Sequence, residues 1–256
     1  MASRKLPILV VAGVGNGLGT GAATARLFAK NGYRVAVLAR NADQLNAFAE
    51  SIKADGGEAA PFPIQAYTHD SMKATFSSIR KAWPDSEIRA AVWNAGAGIF
   101  KTFLNVTEDD IKQSLDTNVI GAFAFARETI LAFKEVEPNE LGKRGTLIFT
   151  GATAAIRGNV YTSAFSAGKH GLRALSQSLA KEFNKENIQY RRDAFQVSHA
   201  IIDGLIRTDR ADQEKTANPH GALKPESIAK AYLSLANQDS SAFTWELDLR
   251  PAHEKW

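Results

Sequence analysis

Gly13-Val14-Gly15-Asn16-Gly17-Leu18-Gly19-Thr20-Gly21 follows directly on the apolar run Leu6 to Ala12 and leads into the alanine-rich segment Thr20 to Lys30. Branched apolar residues, then glycines, then apolar residues at helical spacing read as a strand, a tight turn and a helix. Glycines let the backbone approach a ligand closely, and the opening helix turns free amides and the positive end of its dipole toward it. A diphosphate suits such a turn, so Gly13, Asn16, Gly17, Leu18 and Gly19 are candidate dinucleotide-binding residues. A flexible connection with no ligand is the alternative reading.

Outward from this turn the same alternation repeats. Apolar runs at Arg34 to Ala39, Ile88 to Trp93, Thr146 to Thr150 and Val197 to Ile202, with a weaker one at Ala59 to Ile64, are separated by helix-like segments. Thr20 to Lys30, Ala42 to Ala54 and Ser71 to Ala82 carry apolar residues at helical spacing. Thr107 with Asp110 resembles a capping box opening a long helix to Lys134, and a second long helix covers Ser163 to Phe183. Pro225 to Asn237 is a last helix, and Ala242 to Leu249 a closing strand. Continuously apolar strands joined by helical crossovers predict an α/β fold, a doubly wound parallel sheet with helices on both faces. No linker or repeat divides the chain, so residues 1–256 are expected to form a single domain. The polar segment Tyr190 to Gln196 reads as an insertion, either a solvated surface loop or an assembly element.

Composition narrows the function classes. The 256 residues carry a net charge of +4 with basic residues spread along the chain, which argues against nucleic acid as a partner. The apolar run near the amino terminus is too short to span a membrane. The chain has no cysteine, which excludes disulfides, thiol catalysis and cysteine-ligated zinc and fits a cytoplasmic setting; no metal site is expected.

The spacing Gly13-x-x-x-Gly17-x-Gly19 resembles that of the short-chain dehydrogenase/reductase superfamily. Asn94-Ala95-Gly96 after the strand Ile88 to Trp93, Asn118 within Thr117-Asn118-Val119, and Lys169 early in the helix after Thr146 to Thr150 agree with it, in order, from near residue 6 to about residue 250. The resemblance implies a Rossmann-like fold, a nicotinamide cofactor and homodimeric or homotetrameric assembly. Apolar positions on more than one face of Thr107 to Lys134 and Ser163 to Phe183 suit such assembly. It adds Asn94, Ala95, Gly96, Lys169 and Thr208 to the cofactor-binding candidates. At the end of the second strand Arg40 stands where an acidic residue would bind the adenosine ribose, so NADP(H) is implied over NAD(H).

In the resembled family a tyrosine moves the substrate proton, a lysine four residues later lowers its pKa and holds the nicotinamide ribose, a serine orients the carbonyl and an asparagine supports a water relay. Asn118 and Lys169 match, whereas Phe165 takes the tyrosine position and Ala152 the serine position. General acid catalysis is worth about 10² to 10⁴ in rate and an oxyanion donor about 10² to 10³, so losing both should cripple ordinary carbonyl reduction. Tyr161 is a candidate replacement hydroxyl if the helix begins early enough to carry it on the face of Phe165; the alternative places it at the pocket mouth. Thr153 and Ser166 flank the two vacant positions, and His199 lies near the cofactor side of the sheet. Ala164 to Lys169, Ile201 to Gly204 and Glu246 to Pro251 resemble a divergent branch of the superfamily that normally carries phenylalanine here. Phe100, Phe103 and Tyr161 are candidates for an apolar substrate pocket, and Leu205 to Leu223 for a covering loop. The leading expectation is an NADP(H)-dependent oxidoreductase acting on a small, partly apolar carbonyl or activated alkene. A nonredox enzyme for cyclisation, isomerisation or addition, and a cofactor-binding pseudoenzyme, stay open beside it.

Overall fold

The computed structural model describes residues 5–184, 194–208 and 220–253. Its centre is strand β1 (Ile8–Ala12), buried at every position, which pairs in parallel with β2 (Arg34–Ala39) on one side and β4 (Ile88–Trp93) on the other. With β3 (Glu58–Pro63), β5 (Thr146–Thr150), β6 (Gln196–Ile202) and β7 (Glu246–Leu249), these strands form one seven-stranded sheet in the order β3-β2-β1-β4-β5-β6-β7. All its pairings are parallel. The order reverses direction between β1 and β4, and in such sheets that switch opens a crevice at the strands' carboxyl ends.

Both faces are covered. Helices α1 (Thr20–Lys30), α2 (Ala42–Ala54) and α7 (Pro225–Ala236) pack Phe28, Phe48 and Tyr232 against Val11, Val37 and Ile148. Helices α3 (His69–Ala82), α5 (Gly121–Lys134) and α6 (Ser163–Phe183) pack Phe76, Phe125 and Leu172 against Val10, Trp93 and Phe149 on the other face. The doubly wound sheet expected from the apolar runs is therefore the observed fold.

The differences lie at the ends of elements. The first strand starts at Ile8 rather than Leu6, because Pro7 has no amide to donate to a ladder. Helix α3 begins at His69 rather than Ser71, its amino end capped by Thr68, which accepts from the Ser71 amide. The closing strand starts at Glu246 rather than Ala242, because Thr244 turns back to Gln238 through its amide (2.9 Å) and hydroxyl (2.8 Å). Of the segment expected as a solvated insertion, Tyr190 to Asp193 lie outside the described residues. Its carboxyl end belongs to the core: Phe195 is buried, stacked 4.9 Å from Phe183, and Gln196 opens β6.

The predicted helix from Thr107 to Lys134 is not one uniform helix. The capping box is present, and α4 (Glu108–Leu115) follows it, but Asp116–Ile120 forms a π turn before α5. No propensity rule locates such a turn, which commonly marks a functional site.

The cap has a measurable consequence. Lys101 Nζ lies 2.6 Å from Asp110 Oδ2, and the Thr107 amide donates to the same oxygen at 2.9 Å. The Lys101 bond first, then the Thr107 amide, hold the Asp110 carboxyl down at about 2. A carboxyl depressed in the folded state stabilises above its ordinary value of 3.8, and that stability is lost as pH falls toward 2. Asp110→Asn should lower the urea midpoint at neutral pH and flatten its decline across that acid window. An unchanged acid limb would show that Asp110 contributes nothing to it.

Candidate active site

The glycine turn and the Asn94-Ala95-Gly96 segment meet at the switch point. Gly13 has a φ of +93°, and a Cβ there would lie 2.5 Å from the Ala95 nitrogen, so only glycine lets β1 and β4 end side by side. Asn94 Nδ2 donates to the Gly13 carbonyl at 2.7 Å and locks the two turns together. Asn16 Oδ1 accepts from the Leu18 amide at 3.3 Å and shapes the far side of the turn. Gly17 continues it at a φ of +88°. Gly19 caps α1, with no side chain bonded to the helix end, no acidic residue in its first turn, and no atom within 4 Å of where a Cβ would stand. Those open amides at a positive dipole end fit a diphosphate. Thr20 Oγ1, buried beside them without a partner among the described residues, is a polar atom that the sequence reading missed.

Arg40 is exposed at the end of β2, its guanidinium 5.8 Å from the Tyr67 ring centroid. It borders a cleft of about 450 Å³ shared with Gln65, Tyr67 and Thr117. Its neighbour Asn41 is spent on capping α2 through the Gln44 amide at 3.0 Å. Thr208 is half-buried just beyond the bridge between Ile206 and Leu223. Most of the expected covering loop, residues 209–219, lies outside the described residues.

Lys169 and Asn118 come together from α6 and the π turn. Gly168 allows it: a Cβ there would lie 2.8 Å from Ser114 Oγ and 3.0 Å from the Asn118 side chain. Lys169 Nζ donates to the Thr150 carbonyl at 2.9 Å, and Asn118 Nδ2 donates to the Ala97 carbonyl at 3.1 Å. Asn118 Oδ1 is buried without a partner among the described residues. Lys169 Nζ and Asn118 Oδ1 each lie 3.4 Å from where a Cβ on Gly96 would stand, so both atoms flank the backbone at the end of β4. Lys169 is only 5% exposed, and burial lowers its ammonium to about 8.

The Phe165 ring centroid lies 5.9 Å from Lys169 Nζ and 5.5 Å from the ring of Phe100. Tyr161 does not share the helical face of Phe165, because α6 starts at Ser163 and Tyr161 precedes it with a φ of +69°. Its carbonyl accepts from the Lys101 amide at 2.9 Å and its side chain is 55% exposed. Thr153 points its hydroxyl at Asp203, and Ser166 shares a 2.9 Å bond with Thr162. Ala152 lies between β5 and the short 3₁₀ turn Thr153–Ala155.

A charged network that sequence reasoning did not assemble closes the site from behind. Asp203, 1% exposed, is paired with Arg250 at 3.1 Å and Arg157 at 3.4 Å and accepts from Thr153. His199, fully buried, sits 3.0 Å from Glu246, which Arg173 holds with bonds of 2.7 and 2.8 Å. An aspartate ending an apolar strand was the available signal, but its partners come from distant parts of the chain.

The family model described as short chain dehydrogenase matches residues 7–215. The 3-oxoacyl-[acyl-carrier-protein] reductase of Bos taurus is 28% identical over 200 residues, 78% of this chain and 76% of its own length. A crystal structure of a short-chain dehydrogenase from Rhodopseudomonas palustris is 26% identical, with a TM-score of 0.76 over 96% of this chain and 98% of its own. A metagenomic short-chain oxidoreductase solved in complex with NADP is 25% identical, with a TM-score of 0.72 over 97% and 98% of the two chains.

Burial, against the opposing effect of Glu246, pushes the His199 imidazole down to about 4 from its ordinary 6.5. A histidine kept neutral in the fold stabilises above 6.5, and that stability drains away as pH falls toward 4. The loss should reach about 1–3 kcal/mol. Chemical denaturation at stepped pH should show this slope and its disappearance in His199→Asn; the same slope in both proteins would exclude His199 as its source.

Proposed function

The chain belongs to the short-chain dehydrogenase family, and from that premise we propose that it is an NADP(H)-dependent oxidoreductase acting on a small, partly apolar carbonyl or activated alkene. The observation that carries the reading is the uncapped, open amino end of α1 at Gly19, with Arg40 at the tip of the neighbouring strand. The amides of the Gly13 to Gly19 turn would receive the diphosphate, and Arg40 would meet a 2′-phosphate as a charge-assisted pair. Asn94, Ala95 and Gly96 would floor the adenosine half, while Lys169 and Thr208 would hold the nicotinamide half. When bound, the reduced nicotinamide supplies a hydride.

The protein's own part is positioning and proton supply. Exposed Phe100, Phe103 and Tyr161 give the mouth an apolar rim, which suits a substrate with an alkyl or aryl body. Phe165 and Ala152 carry no hydroxyl, so the site favours a substrate that needs less help from an oxyanion donor than a simple ketone does. That same lack supports the second reading, cyclisation, isomerisation or addition in the pocket; product formation in the complete absence of nicotinamide would favour it. A pseudoenzyme would bind the cofactor and turn nothing over.

The whole chain is proposed to act as one domain within a homodimer or homotetramer. A groove of about 250 Å³ between α5 and α6, flanked by Phe123, Leu131 and Leu179, is the surface suited to a second copy.

Two variants test the cofactor assignment. Gly19→Val faces no steric conflict and an ordinary backbone angle, φ −92°. It should keep its unfolding midpoint and lose NADPH affinity by at least about tenfold; wild-type affinity would remove the diphosphate from that turn. Arg40→Asp should weaken NADPH about 10- to 100-fold, the worth of a charge-assisted hydrogen bond, and improve NADH. Calorimetry with both cofactors reads the switch, and equal preferences before and after would sink the 2′-phosphate role. Phe165→Tyr should add ketone reduction by about 10²-fold or more if the rest of the site is intact.

A further inference from the structure

Ala152 and Phe165 give the site no hydroxyl, yet it holds a protonatable group with hydrogens to spare. An ammonium carries three donors. The structure places one on the Thr150 carbonyl at 2.9 Å. Asn118 Oδ1 is a buried acceptor with no partner among the described residues. Both atoms border the Gly96 backbone, each 3.4 Å from the position of a Cβ there. Thr150 holds one hydrogen of Lys169, and two remain for a substrate beside the Phe165 ring, whose centroid lies 5.9 Å from Nζ.

Other groups around the site are committed elsewhere. Thr153 is spent on Asp203 and Ser166 on Thr162. Ser114 donates to the Ala164 carbonyl at 2.8 Å, and Thr150 Oγ1 is bonded to Tyr232 at 2.9 Å. Tyr161 stands at the exposed rim, outside α6. His199, neutral and donating from Nδ1 to Glu246, carries no proton on the Nε2 that abuts the Gly151 backbone.

We propose that Lys169 Nζ is itself the proton donor for carbonyl reduction, positioned by the Thr150 carbonyl, with Asn118 bordering the same Gly96 backbone. The assignment rests on the redox reading above. Hydride from the reduced nicotinamide forms the new C–H bond at the carbonyl carbon, and the π electrons move to oxygen. That oxygen takes a proton from Nζ directly or through one water, leaving a neutral amine that solvent reprotonates. The nicotinamide is oxidised and the carbonyl reduced to an alcohol.

Burial supports the role by lowering the ammonium to about 8, within reach of ordinary working pH. The charged and titratable groups around Lys169 do not neutralise it. His199 on β6 is held neutral, with Glu246 of β7 engaged by Arg173 of α6. His170 is turned to the Ser166 carbonyl, and Asp116 of the π turn pairs with Lys112.

The first measurement needs neither cofactor nor substrate. In protein labelled at the lysine ε-carbon, the NMR signal missing from Lys169→Met should titrate near 8 in the wild type. It should titrate lower in Asn118→Ala, which removes the amide oxygen that borders the same glycine, and higher in Asn118→Asp, which also serves if the alanine variant fails to fold. A midpoint at the free-lysine value of about 10.4, or one that ignores both substitutions, overturns the positioning.

The second uses NADPH with an aliphatic ketone, an aromatic aldehyde and a 1,2-diketone. Reduction should decline as pH rises through the Lys169 midpoint, and should fall about 10²- to 10⁴-fold in Lys169→Arg, whose guanidinium keeps its charge but does not release a proton. Bound NADPH without turnover, or turnover that survives in Lys169→Arg or ignores the midpoint, overturns the donor assignment. Failure of NADPH to bind would instead strike the redox reading and leave the titration result standing.

Discussion

The short contact between the ends of β1 and β4 governs this molecule. Asn94 Nδ2 reaches the Gly13 carbonyl at 2.7 Å, and a Cβ on Gly13 would lie 2.5 Å from the Ala95 nitrogen. Two parallel strands whose crossovers leave toward opposite edges of the sheet open a crevice at their carboxyl ends. This contact fixes how close the two turns that line it stand. Everything placed there inherits the spacing: the amino end of α1, the Gly96 backbone, and through it Lys169 and Asn118.

The second constraint is a charge taken out of water. Lys169 is buried, and among the described residues no carboxylate is bonded to it; the Thr150 carbonyl is its acceptor. A buried ammonium without an ion partner gives up part of its affinity for the proton, which is why the Lys169 ammonium is lowered to about 8. Behind it, the opposite solution is used: Asp203 with Arg157 and Arg250, and Glu246 with Arg173, are closed groups in which charge meets charge, while the neutral His199 adds a hydrogen bond to Glu246. These pairs join β6 to β7 and to the turn after β5, holding the rear of the site while its front stays apolar.

Periodicity placed several elements to the residue, among them β2, β4 and β5 and helices α1, α2 and α6. Each is long or strongly apolar, and its burial agrees with its local propensity. The strand errors share a cause. Leu6, Ala242 and the edge of the 190–196 segment have the right residue types, but strand membership depends on a partner's free carbonyls and amides, which one segment does not reveal. The π turn at Asp116–Ile120 is invisible to a helical pattern because its apolar positions fit an ordinary helix; close packing against Gly168 accompanies it.

The sequence alone determined the parallel doubly wound sheet, the family, and that positions 152 and 165 carry no hydroxyl, because apolar spacing and residue identity are properties of the chain itself. Tertiary structure alone decided where the remaining hydroxyls point, that Tyr161 lies outside the helix, and that Lys169 is buried against the same Gly96 backbone as an Asn118 oxygen. Those facts depend on hydrogen bonds and burial between segments far apart in sequence, where a side chain's chemistry is set by neighbours that no local pattern names.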